Sequence, residues 1–76
     1  MPLVNVKVME NVLTYEQKTE IASRITDVLL DVIGEPVRPA TFVEVQDITS
    51  GQLLLGGQQI TTDVVKQMLG SVPATA

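Results

Sequence analysis

Along the first nine residues, apolar and polar side chains alternate. Val4, Val6 and Val8 fall on one side, Asn5 and Lys7 on the other. A period of two predicts a β-strand over residues 2–9 with one buried face. Pro2 opens it, where a missing N–H does no harm to a ladder. Glu10–Leu13 are a connector. Thr14-Tyr15-Glu16-Gln17 then reads as a capping box, with Thr14 as N-cap and Gln17 reaching back. Glu16 lies in the first turn, where the helix dipole favours an acid. The period now lengthens. Ile21, Ala22, Ile25, Val28, Leu29 and Val32 recur at helical spacing and predict the buried stripe of an amphipathic helix. Lys18, Thr19, Glu20, Ser23, Asp27 and Asp31 form its wet side, and Arg24 reads as a surface residue. Gly34 suits the C′ position, and Pro36 blocks any continuation.

Glu35–Ala40 is a rigid connector with two prolines. Over Thr41–Ile48 the two-residue period returns, with Val43 and Val45 on one face and Phe42, Glu44 and Gln46 on the other. A helical crossover of this length suits a parallel pair of strands with a right-handed connection. Thr49-Ser50-Gly51 is a turn. Gln52–Leu55 is a short apolar run broken by Gly56-Gly57, and Gln58–Ile60 form the return arm of a hairpin. Thr61 or Thr62 caps a last helix of about Asp63–Leu69, which Gly70 ends. The expected fold class is α/β: a small β-α-β subunit with a C-terminal β-hairpin and a short helix, its two-stranded parallel core extended by oligomerisation. Residues 1–70 read as a single domain and 71–76 as a flexible tail.

Composition narrows the chemistry. The 76 residues carry a net charge of −4 and include neither Cys nor His. Thiolate and imidazole chemistry, disulfides and the usual zinc sites are therefore excluded. Five scattered basic residues on an acidic chain argue against binding nucleic acid. No apolar run is long enough to span a bilayer, and no basic-then-apolar start of the secretory kind is present. The expected setting is the cytoplasm. A chain this short buries only about 60% of its unfolded surface. Small domains add disulfides, a metal or partner subunits. With 45% hydrophobic residues and the first two routes closed, homo-oligomerisation is expected. Leu53-Leu54-Leu55 reads either as a local core plug or as a hairpin that docks on a neighbouring subunit.

Several short pieces then fall in a recognisable order. They are the Met-Pro start, the strand Leu3–Met9, and Glu10 followed by Thr14-Tyr15-Glu16-Gln17-Lys18. Further on come Arg38-Pro39-Ala40-Thr41-Phe42-Val43, then Ser50-Gly51 with Gly56-Gly57, then Thr61-Thr62-Asp63-Val64. In this order the chain resembles the tautomerase superfamily, specifically its 4-oxalocrotonate tautomerase-like group, over roughly Pro2 to Leu69. The resemblance implies a β-α-β subunit assembled as a hexamer or, in some branches, a trimer or dimer. It implies a cofactor-independent isomerase, with no metal or organic cofactor. Met1 is removed and the N-terminal amine of Pro2 acts as general base, tautomerising a small 2-oxo or enol acid. The composition agrees. Without His or Cys, an α-amine with reference pKa of about 7.7–8.0 is the natural base.

Carried over residue by residue, the resemblance also shows departures. Two positions that hold arginine in the 4-oxalocrotonate enzymes match Val12 and Phe42 here, and an aromatic position of the hairpin matches Leu53. A related subgroup with an Arg-Pro-x-Thr-aromatic stretch keeps an arginine at Arg38. Arg38 is therefore the candidate carboxylate anchor, since guanidinium presents a fork matched to carboxylates. Met9, Phe42 and Leu53 are the candidate apolar walls, though each also reads as core or interface packing. Lys7 faces either an interface or the site. One anchor with an apolar wall suits a monoacid, including an aromatic one such as phenylenolpyruvate. Two alternatives share the scaffold: a proline-amine enzyme of iminium or hydratase type, and a non-catalytic oligomeric module that binds a ligand or protein through the leucine hairpin.

Overall fold

The structure is a computed structural model and describes residues 2–70. The elements follow in the order β1 (Leu3–Met9), α1 (Tyr15–Ile33), a 3-10 helix (Glu35–Ala40), β2 (Phe42–Ile48), β3 (Leu53–Leu55), β4 (Gln58–Ile60) and α2 (Thr62–Gly70). β1 and β2 form a parallel pair, and β3 and β4 a separate antiparallel hairpin. The expected β-α-β plan with a terminal hairpin and helix is the one observed. The expected tail at 71–76 lies outside the described residues. Contacts divide the chain into two units. The first holds the residues up to Lys7 and Thr14–Gln46; the second holds Val8–Leu13 and the chain from Asp47.

In the first unit, strand alternation sets which face is covered. Val4, Val6, Val43 and Val45 are half-buried, while Leu3, Asn5, Lys7, Phe42, Glu44 and Gln46 are exposed. Phe42 N–H donates to Pro2 O at 2.9 Å, which sets Phe42 opposite Leu3. On the open face Asn5 donates through Nδ2 to Glu44 Oε1 and, at 3.4 Å, to Gln46 Oε1.

α1 starts where its cap predicts. Gln17 N–H donates to Thr14 Oγ1 at 3.1 Å, and Thr14 N–H to Gln17 Oε1 at 2.8 Å. That closes the capping box and satisfies two groups the helix would otherwise leave open. At the far end Gly34 N–H donates to Leu30 O at 2.8 Å. Its φ of 116° is one that glycine alone adopts without strain. Arg24 lies on the surface, paired with Glu20 one turn back. The covered stripe differs from the expected one. Val28 and Val32, expected inside, are 61% and 83% exposed, whereas Leu30 is 3% exposed. Two strands are too narrow a surface to cover the whole of a helix stripe about 100° or more wide. One flank of the stripe therefore stays open, and Val28 and Val32 occupy it.

In the second unit, Glu10 N–H donates to Ile48 O at 3.0 Å, so Met9 lies opposite Ile48. The hairpin pairs Leu53 with Ile60, Leu54 with Gln59 and Leu55 with Gln58. Its turn is Gly56-Gly57, with φ of 59° and 85°. Two successive positive φ values are what a two-residue turn between twisted strands requires. Thr61 caps α2, its Oγ1 accepting from Val64 N–H at 3.2 Å. α2 begins and ends within one residue of the expected bounds.

The core is small. Among the described residues Met9 and Leu30 are the buried hydrophobic side chains. Leu3, Tyr15, Val32, Phe42, Leu55 and Met68 are all more than half exposed. No described helix is long and apolar enough to cross a membrane.

Candidate active site

Pro2 stands at the head of β1 and is half-buried. The ladder engages it through its carbonyl, which accepts from Phe42 N–H. Its nitrogen takes no part in that bond. Phe42 is 56% exposed and Leu3 67%, and the two lie side by side on the open face. The strand pairing thus brings two predicted site residues together and gives the Pro2 end of the sheet an apolar surface. Farther along, the same face turns polar at Asn5, Glu44 and Gln46.

Arg38 lies in the 3-10 helix that leads into β2. Two bonds hold that lead-in: Thr41 N–H donates to Arg38 O at 3.2 Å, and Thr41 Oγ1 to Val37 O at 2.8 Å. The guanidinium itself is not idle. Nε donates to Glu35 Oε2 at 2.9 Å and Nη2 to Glu35 Oε1 at 3.0 Å, with Asp27 Oδ1 at 3.4 Å from Nη2. The fork is thus spent on a carboxylate of the same helix. The hydrogen bond holds the Glu35 carboxyl below its ordinary range and pushes the Arg38 guanidinium further above its own. All three side chains are exposed, so water screens the cluster. The Arg38 fork is therefore not an empty site: any carboxylate that reached it would have to displace Glu35. Sequence reasoning missed Glu35, although its spacing of three from Arg38 was a visible signal.

Met9 and Leu53 belong to the second unit. Met9 is 7% exposed and packs as core; Leu53 is 42% exposed at the start of the hairpin. Leu53, Leu54 and Leu55 line an apolar groove of about 400 Å³ with Val65, Met68 and Leu69 of α2. Among the described residues the leucine run is therefore not a sealed core plug. Among the described residues, no group of three His, Cys, Asp or Glu side chains gathers as a metal site would require.

A family model described as tautomerase enzyme matches residues 2–63. The chain belongs to the tautomerase family. The matched segment begins at Pro2 and takes in both strands, α1 and the hairpin. A curated relative, probable tautomerase K2 of Dickeya dadantii (strain 3937), is 32% identical over 62 residues. The alignment covers 80% of this chain and 90% of the relative. No solved structure gives a significant match. This tautomerase is thus an isomerase-type enzyme by family, built on the β-α-β plan that its sequence alternation predicts.

Proposed function

We propose that this tautomerase interconverts the enol and keto forms of a small 2-oxo acid, with the amine of Pro2 as the base after removal of Met1. The observation that carries the reading is the setting of Pro2. Its carbonyl is tied into the ladder, the residue is half-buried, and Leu3 and Phe42 give that end of the sheet an apolar surface. An α-amine in such surroundings is desolvated, which disfavours the cation and lowers the pKa from about 7.7–8.0. A base poised near neutrality can take a proton from the enol oxygen or an α-carbon and return it at the other position. No cofactor takes part. Arg38 holds the carboxylate in exchange for Glu35, Phe42 supplies an apolar wall and the Leu53 hairpin of a neighbouring subunit another, while Met9 stays packed as core. With valine at position 12 and phenylalanine at 42, a single anchor favours a monoacid with an apolar or aromatic tail.

The working form is a homo-oligomer, a hexamer in preference to a trimer or dimer, in the cytoplasm. Residues 1–70 act as its single domain. Two buried hydrophobic side chains among the described residues are few for a stable chain, and the exposed leucine hairpin and open helix flank offer apolar area to other copies.

The deciding experiment is a pH titration of the Pro2 nitrogen by NMR on labelled protein. An amine signal titrating below the free-peptide range is expected. An amide signal that never titrates would show a blocked Pro2 and favour the non-catalytic module. Arg38→Ala is expected to raise KM for phenylenolpyruvate about tenfold with little change in kcat, since ground-state binding is what it removes. Steady-state kinetics checks this, and an unchanged KM would take the anchor role from Arg38.

A further inference from the structure

Three residues far apart in sequence close a ring in the second unit. Ser50 N–H donates to Glu10 Oε2 at 2.6 Å. Thr62 N–H donates to Ser50 Oγ at 2.9 Å, and Thr62 Oγ1 donates to Glu10 O at 3.0 Å. Each bond is partly buried. The ring joins the end of β1, the turn before the hairpin and the first residue of α2. Glu10 is its centre, since it accepts through both side chain and backbone. Its carboxylate bond is charge-assisted, the stronger kind. Gly51 N–H to Ile60 O at 3.2 Å then passes the restraint into the hairpin. Gln59 Nε2 also donates to Gly51 O at 3.2 Å, while the hairpin's own side chains are largely exposed.

We infer that Glu10 is a positioning residue, its carboxylate clasping Ser50 and through it the base of the leucine hairpin, so that Leu53 is held in place as an apolar wall for substrate. The inference rests on the proposed tautomerase reading and on Leu53 being part of the site. Glu10 itself touches no substrate. Losing the clasp leaves the hairpin free to open locally, as weakly packed segments do. The loss then falls on substrate binding, and the Pro2 base is untouched.

The test uses the full chain with Glu10→Ala and Glu10→Gln. Amide exchange at Ser50 and Thr62 and steady-state kinetics with phenylenolpyruvate are both read. Glu10→Ala is expected to speed exchange at both amides and to raise KM about tenfold, with kcat nearly unchanged. Glu10→Gln keeps a carbonyl oxygen facing Ser50 N–H and is expected to recover most of both. Unchanged exchange in Glu10→Ala overturns the clasp. Equal loss of kcat in both variants at constant KM overturns positioning, because the charge would then act in the chemistry. Should Glu10→Ala fail to fold, Glu10→Asp keeps the charge but draws it back from Ser50 N–H by one methylene. It is expected to raise KM in the same direction, and an unchanged KM counts against the proposal. If the unaltered protein shows no tautomerase activity, the proposed function fails, whereas the exchange measurements still decide whether the clasp exists.

Discussion

Replacing Pro2 by Ala lowers kcat/KM for an enol acid by about 10²–10⁴-fold, the usual worth of a positioned general base. Alanine exchanges a secondary cyclic amine for a primary one on a freer backbone, so both basicity and aim are altered. The fold is expected to survive. The ladder uses the position 2 carbonyl, which any residue supplies, to accept from Phe42 N–H. Thermal unfolding is expected to stay within about 1 kcal/mol of the parent, the usual scale for a single replacement at a half-buried position. The rate of the parent should fall as pH drops through the amine pKa, because only the free amine accepts a proton. Kinetics and circular dichroism on the same sample check both halves. A folded Pro2→Ala variant of full activity would remove the proline from the chemistry.

Leu30→Ala should cost about 2–5 kcal/mol of folding stability, the range for deleting most of a buried leucine. Leu30 is 3% exposed and the most buried hydrophobic side chain among the described residues. Single domains have only about 5–15 kcal/mol in all, and a chain this short sits at the low end. The variant is therefore expected to be partly unfolded at room temperature. Urea denaturation measures it, and a cost below about 1 kcal/mol would mean that the site collapses around the cavity. Val32→Ala makes the control. At 83% exposure it should change the stability of a single chain by less than about 0.5 kcal/mol. A larger loss that grows as protein is diluted would show that another copy covers this flank.

How much of this was legible in the residues depends on how far apart the interacting groups lie. The sequence by itself determined the strands, because Val4, Val6, Val43 and Val45 alternate with polar neighbours. It determined where α1 starts, because Thr14 and Gln17 are three residues apart and cap each other. It determined the hairpin turn, because Gly56-Gly57 takes two positive φ values without strain. All of these are local, and local spacing sets them. Only the tertiary structure decided that Leu30 is buried while Val28 and Val32 face out, since the width of a two-stranded sheet chooses which part of a helix stripe it covers. Only it showed that the Arg38 fork is occupied by Glu35 and reached by Asp27, eleven residues back on another helix. Glu10, Ser50 and Thr62 lie 40 and 52 residues apart where they meet, a separation that no periodicity encodes. Such contacts exist only once the chain has folded, since the crossover through α1 is what carries these distant positions together.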